Sequence, residues 1–453
     1  MPLSTPPRVF IVGGGFAGLE VARALAHVPA DVRLVDRRNH HVFQPLLYQV
    51  ATAAISPADI ASPIRHILRK QQNCHVALAT VTAIDLATRR LRFALGSAGA
   101  EGEMEYDYLV LAAGATHSYF GKDDWEKLAP GLKSIEDATE IRRRILLAFE
   151  SAEYEGSDER RRAALTFAIV GGGPTGVELA GAIKEIAATT IPADFRNIDT
   201  KTTRVLVLEG GPRLLATFPE SLSARAKRDL EAMGVEVRLG KHVTNITPDG
   251  VWLGDEFLPA RNVLWAAGVQ ASPIGKSMGV PLDRAGRVVV GPDLSVPGHP
   301  EVFVVGDMAA AKSADTGQQV PGVAQGGLQM GKYAGRLIAA EIAAKSRGSA
   351  PPPRKPFIYR DLGSMATIGK AKAVADIAGF KFAGFPAWVI WGAIHVMSIV
   401  NFRSRLSVAA QWFWNWLLFA RDARLITGKA TLDVSKPRDD ARVLQDDAKL
   451  ASR

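Results

Sequence analysis

Apolar and polar positions along this chain repeat one order twice. The apolar run Val9–Val12 has the length of a strand buried on both faces, and it stops at a glycine cluster, Gly13-Gly14-Gly15-Phe16-Ala17-Gly18. A helix to about His27 and a second apolar strand ending at Asp36 follow. The order returns with Ala168-Ile169-Val170, the cluster Gly171-Gly172-Gly173-Pro174-Thr175-Gly176, a helix, and a strand ending at Glu209. The runs Tyr108–Gly114 and Asn262–Gly268 close the two units at nearly the same offset. Two modules of about 150 residues are therefore predicted, each a parallel α/β sheet.

Past Val302–Asp307 the pattern turns helical from about Ala324 to Ala344, and a stretch with four prolines, Gly348–Pro356, reads as a linker. Phe382–Phe402 holds no Asp, Glu, Lys or Arg, and neither does Ser407–Ala420. Five of the eight tryptophans lie between Trp388 and Trp416. Trp412, Trp414 and Trp416 stand two apart and so cannot share one helical stripe. Beyond Gly428 the tail is polar and charged and reads as disordered.

Composition narrows the classes. At 453 residues, 47% apolar and 22% charged, the chain suits two or three globular domains. Its one cysteine, Cys74, excludes an internal disulfide and a redox-active cysteine pair, and fits a reducing compartment. The net charge of +9 is spread without a basic block or a nucleic-acid motif, so no nucleic-acid partner is expected; an anionic lipid surface accounts for the excess equally well. The N-terminus enters its first strand with no basic or apolar leader region, and secretion is not expected. Arg142–Arg144 and Arg160–Arg162 read as solvated helical faces, His40 and His41 as loop lining, and no cluster has metal-ligand spacing.

Each glycine cluster follows a strand, opens a helix and precedes an acidic strand end, the context in which G-x-G-x-x-G binds a dinucleotide. Gly13 and Gly171 permit the tight turn, Gly15 and Gly173 let a pyrophosphate approach the backbone, and Gly18 and Gly176 let helix lie on strand. The helix N-terminus offers N–H groups to the phosphates, and Asp36 and Glu209 would each bind an adenosine ribose. A carboxylate at Glu209 suits a free 2′-hydroxyl and repels a 2′-phosphate, so NADH is expected over NADPH, although Arg213 four residues on could blunt this.

The arrangement resembles the two-dinucleotide flavoprotein reductases, in which the N-terminal module binds FAD and the inserted one a nicotinamide cofactor. That resemblance assigns Gly13, Gly15, Gly18, Asp36, Gly306 and Asp307 to FAD, one non-covalent molecule per chain, and Gly171, Gly173, Gly176 and Glu209 to NADH. Cys74 alone cannot support disulfide chemistry, which leaves a small diffusible acceptor, an electron-transfer protein or a quinone. The apolar, Trp-rich C-terminal region flanked by Lys381, Arg403, Arg405, Arg421 and Arg424 favours a quinone taken from a membrane. Three readings of that region stand: a monotopic anchor, which is the expectation, a single span, and a dimer or core interface. A span would set Arg403 and Arg405 across the membrane from the catalytic domains, against the positive-inside tendency.

Several segments together resemble the type II NADH:quinone oxidoreductases, single-subunit and non-pumping. They are Phe43–Gln49, Gly171–Glu178, Leu264–Val269, Val304–Asp307, Ala324–Gln329 and Gly363–Gly369. The resemblance implies that Gln325 and Gln329, one turn apart, contact quinone, with Gly327 standing where the family has alanine. It implies that Glu178 lies near nicotinamide and quinone as a proton relay with a raised pKa. The expected fold is thus α/β: an FAD domain (8–120 and 290–350), an NADH domain (121–289), a helical membrane-anchoring region (351–428) and a tail (429–453). The expected protein is a homodimer bound peripherally to lipid on the cytoplasmic face of the cell membrane. A soluble reductase of an electron-transfer protein and a slow redox-sensing flavoprotein are the alternatives.

Overall fold

The computed structural model describes residues 6–96, 99–418, 423–428, 431–435 and 438. The chain forms two compact units. One gathers the residues up to Val42 with Ala61–Thr116 and Val269–Leu362; the other gathers Phe43–Ile60, His117–Gly268 and the described residues from Gly363 onward.

In the first unit six strands form one sheet in the order 295–296, 299–304, 108–111, 8–12, 31–36, 74–78. Pairing along 8–12, 31–36, 74–78, 108–111 and 299–304 is parallel. Both faces are covered, which is why Phe10, Ile11, Leu109, Val110 and Phe303 are all at most 1% exposed. Helix Phe16–Ala24 lies beside helix Ala324–Ser346. At Gly331 an added Cβ would stand 2.2 Å from the Ala17 carbonyl oxygen, and at Gly335 2.7 Å from the Ala24 Cβ, so glycine sets how closely these helices approach.

In the second unit the parallel order 235–239, 204–209, 166–170, 262–265 matches that of 74–78, 31–36, 8–12, 108–111 in the first. Each unit also inserts a three-stranded antiparallel meander before its closing strand, 80–85/90–95/100–105 and 243–247/250–253/256–259. The repeat seen at the glycines thus extends through the whole module.

Several expectations need correction. The C-terminal region is not helical throughout: Ser364–Gly369, Lys372–Ile377 and Phe380–Ala383 form an antiparallel sheet against helix Pro174–Glu185. There a Cβ on Gly181 would meet the Ile368 carbonyl at 1.6 Å. The apolar stretch 382–402 is broken at Gly384, whose φ of +75° turns the chain into a helix, Phe385–Ser398, of only 14 residues. At ~1.5 Å per residue that is ~21 Å, short of a hydrocarbon core of ~30 Å. No helix among the described residues is long and apolar enough to cross a membrane. His40 and His41 belong to a short strand, 40–42, paired with 61–63. Arg142 is 5% exposed rather than solvated and donates to the Ala423 carbonyl at 3.2 Å. In the tail, Asp433 and Ser435 bond Ser151 and Glu155, and the Arg438 N–H donates to the Tyr154 carbonyl. Arg421, Asp422 and the tail residues 429–430, 436–437 and 439–453 lie outside the described residues.

Candidate active site

The first unit's glycine loop has a cradle's shape. A Cβ on Gly13 would stand 2.4 Å from the Ala112 carbonyl, and one on Gly18 1.9 Å from the Gly13 carbonyl, so both positions are closed to larger residues. Gly15 is different: nothing lies within 4 Å of where its Cβ would be, and it caps helix Phe16–Ala24 in extended conformation. Backbone N–H groups at that end are open to an anion. Asp36 accepts from the Gly14 and Arg38 N–H groups at 2.6 and 2.7 Å. The acid expected to bind ribose therefore also orders the loop. Gly306, at φ +71°, turns the chain below half-buried Asp307. His41, 3% exposed, sets Nδ1 3.2 Å from the Gly14 carbonyl, and burial pushes its pKa down to about 4, so the ring is neutral. Open space over Gly15, a helix N-terminus behind it and an acid at the next strand end fit the adenosine diphosphate half of a dinucleotide such as FAD.

The second unit repeats this. Gly171 and Gly176 are closed by the Ala266 and Gly171 carbonyls, and Gly173 faces open space. Glu209 accepts from Gly172 and Gly211 N–H, each at 2.6 Å. Arg213, which might have reached toward a 2′-phosphate, instead donates to the Phe218 and Ala216 carbonyls at 2.7 and 2.6 Å.

Gln325 and Gln329 do share one face of helix Ala324–Ser346, in the first unit. Gln329 closes on the Arg360 backbone, donating to its carbonyl at 2.8 Å and accepting from its N–H at 2.9 Å. Gln325 Oε1 accepts from Leu362 N–H at 3.1 Å. The glutamines thus brace the segment 360–362, and the Gln329 amide keeps one N–H beyond this pairing.

Glu178, in the second unit, is half-buried on helix Pro174–Glu185. Desolvation pushes its pKa up to about 8, against the pull of a hydrogen bond from the Thr367 N–H. The Thr367 hydroxyl lies 3.0 Å from the Tyr48 hydroxyl, to which Gln49 donates at 2.9 Å; Trp412 Nε1 donates to Gln49 at 2.7 Å. Tyr48, Gln49 and Thr367 are each under 9% exposed. Sequence reasoning gave Tyr48, Gln49 and Thr367 no role and read Trp412 only as part of the Trp-rich apolar end. Its only signal was that Phe43–Gln49 and Gly363–Gly369 are motif segments, and 319 residues separate Tyr48 from Thr367.

Helix Phe402–Leu418 has its polarity reversed. Ser407 and Gln411 donate inward to Asp59 at 2.8 and 3.0 Å, and Asn415 donates to the Ala54 carbonyl at 3.2 Å. Phe402, Leu406, Phe413, Trp414, Trp416 and Leu417 point out, between 42% and 69% exposed. Trp391 is enclosed between the rings of His395 and Trp412, at 4.4 and 5.2 Å. Cys74 is an ordinary thiol, its pKa pushed up to about 11 by burial. Among the described residues no cluster could hold a metal ion.

Comparison with known proteins agrees with this layout. Residues 7–331 match the pyridine nucleotide-disulphide oxidoreductase family model, and residues 362–422 match an NDH2 C-terminal domain. The chain is 45% identical over 438 residues to the type II NADH:quinone oxidoreductase Ndh of Mycobacterium tuberculosis, covering 94% of this chain and 92% of that one. It is 30% identical to an internal alternative NAD(P)H-ubiquinone oxidoreductase of Arabidopsis thaliana mitochondria, covering 92% and 85%. In fold it is similar to the NDH2 of Plasmodium falciparum solved in complex with NADH, at a TM-score of 0.83 and 18% identity, covering 93% of this chain and all of that one.

Proposed function

The chain belongs to the type II NADH:quinone oxidoreductases, and from that membership we propose how its residues carry electrons from NADH to a membrane quinone. The reaction is NADH + H⁺ + quinone → NAD⁺ + quinol, with no proton pumping. The carrying observation is the pair of glycine cradles, each open over its middle glycine and closed by an acid, in a chain with one inert cysteine.

The cradle of Gly13, Gly15 and Gly18, with Asp36, Gly306 and Asp307, would hold FAD non-covalently, and the flavin would supply the two-electron redox chemistry between NADH and quinone. Gly171, Gly173, Gly176 and Glu209 hold NADH, and the commitment of Arg213 to backbone carbonyls supports NADH over NADPH. Gln325 and Gln329 meet the quinone with neutral amide groups, the spare N–H of Gln329 suiting a carbonyl oxygen without burying a charge. Glu178 holds the proton that quinol formation consumes. At pH 7 its carboxyl is mainly protonated, and its Thr367–Tyr48 neighbours form hydroxyl contacts behind it.

The outward apolar face of helix Phe402–Leu418, fastened from behind by polar bonds, supports monotopic docking on lipid. We place the protein on the cytoplasmic face of the cell membrane as a homodimer. Anaerobic reduction of the purified flavoprotein with NADH, then reoxidation by a short-chain quinone while flavin absorbance is followed, tests the function. Bleaching by NADH followed by recovery is expected; a flavin that NADH bleaches and quinone leaves reduced would remove the acceptor.

A further inference from the structure

The helical face of Ala324–Ser346 that carries the two glutamines extends beyond them. Lys332 and Arg336 continue the line of Gln325 and Gln329 along it. This stripe and the extended segment Pro352–Leu362, both within the first unit, border a cleft of about 600 Å³. The proline-rich stretch that reads as a linker is in fact a fixed wall. Arg354 bonds Glu341 and Asp293, each at 2.7 Å, and the Pro300 carbonyl at 2.8 Å. Phe357 is buried, and the Tyr333 hydroxyl donates to the Lys355 carbonyl. Prolines stiffen the wall further, so the cleft is built before any ligand arrives.

Its charge is one-sided. Lys332, Arg336, Lys355 and Arg360 stand exposed around it, and among the described residues no carboxylate pairs with their side chains. Glu341, the acid in the lining, is already engaged by Arg354 and by the Tyr108 hydroxyl. Gln329, Tyr333 and Arg354 also line it, bonded to Arg360, Lys355 and Glu341, the rest is apolar, and Ile358 and Leu362 are 52% and 65% exposed. Unmatched cations beside exposed aliphatic side chains fit an anion carried on an apolar body.

We propose that this cleft seats the phosphate of an anionic phospholipid, with Lys332, Arg336 and Lys355 around the headgroup and the acyl chains against Ile358 and Leu362. It is a headgroup site carried by the first unit, separate from the apolar face of helix Phe402–Leu418. The choice of a lipid over a soluble phosphate rests on the quinone reading, which puts the protein at a bilayer; the cleft and its charge do not.

The test is sedimentation of the full-chain holoenzyme with phosphatidylcholine vesicles, with and without phosphatidylglycerol. Lys332→Gln with Arg336→Gln should lose roughly thirtyfold of the affinity that phosphatidylglycerol adds, at ~1 kcal/mol per basic residue near an anionic surface, while keeping its binding to phosphatidylcholine. Lys227→Gln with Lys241→Gln removes the same charge from a half-buried helix position and an exposed loop position elsewhere, each paired with a carboxylate, and should keep the full gain. Equal loss in this control, or no loss in the first variant, overturns the site. Displacement of the gain by free glycerol 3-phosphate overturns the lipid as its occupant. Failure of the quinone reading is seen separately, in flavin reoxidation by a short-chain quinone, which involves no vesicle.

Discussion

At the scale of single residues, burial and open space decide what each group can do. Glu178 ordinarily ionises near pH 4.5, and in the fold burial holds its pKa at about 8. Below 4.5 both folded and unfolded chains carry the proton; between 4.5 and 8 only the folded chain keeps it. Its contribution to stability therefore falls as pH rises through that window and is gone above it. Melting temperatures measured from pH 5 to pH 9 should show Glu178→Gln gaining on the wild type as pH rises, then levelling off above about 8. Quinone turnover of the wild type should decline across pH 8, and the glutamine variant should be slower and lack that inflection. Gly15 is a second residue whose surroundings define its test. With nothing within 4 Å of its Cβ position, Gly15→Ala costs the protein no clash. The purified variant should melt close to the wild type but carry much less flavin, measured as the ratio of flavin to protein absorbance.

At the scale of elements, two helices are set by what their faces touch. Helix Ala324–Ser346 approaches Phe16–Ala24 through glycines that are not equivalent. Gly331→Ala drives a Cβ to within 2.2 Å of the Ala17 carbonyl oxygen and should cost about 1–3 kcal/mol. Gly327→Ala meets its nearest neighbours at 3.7 Å, ordinary contact, so helix propensity should stabilise it by up to about 1 kcal/mol. Denaturant unfolding of the two variants distinguishes them. Helix Phe402–Leu418 departs from a core helix: Ser407 and Gln411 are held inward beside buried Val408, while Phe402, Leu406, Phe413, Trp414, Trp416 and Leu417 are exposed. Trp414→Ser with Leu417→Ser changes two side chains that are each 53% exposed, so folding should be unaffected. Binding to neutral vesicles should fall by an order of magnitude or more, since each such side chain contributes ~1.5–3 kcal/mol on burial.

At the scale of the whole molecule, the chain consists of two copies of one dinucleotide-binding module with a C-terminal extension that has no counterpart in the repeat. As a member of the type II NADH:quinone oxidoreductases, the chain passes electrons to quinone without pumping protons. NADH oxidation by the enzyme bound to sealed quinone-containing vesicles should proceed without building a membrane potential, as read by a potential-sensitive dye. Much of this was legible in the sequence. The buried parallel strands, the two glycine turns and their acids follow from local pattern, because a strand covered on both faces must be apolar throughout and a pyrophosphate must meet backbone without a Cβ between. The single cysteine by itself removed disulfide chemistry, and the charge-free stretches marked the apolar end. Only the folded chain could decide the rest. Tyr48 meets Thr367 across 319 residues, Arg213 turns to carbonyls instead of a ligand, and Gly384 divides the charge-free stretch 382–402 between a strand and a helix. The proline-rich stretch becomes a cleft wall because Glu341 and Asp293 hold Arg354. Each of these depends on groups far apart in sequence, whose distances, burial and remaining hydrogen-bond capacity exist only once the chain has closed on itself.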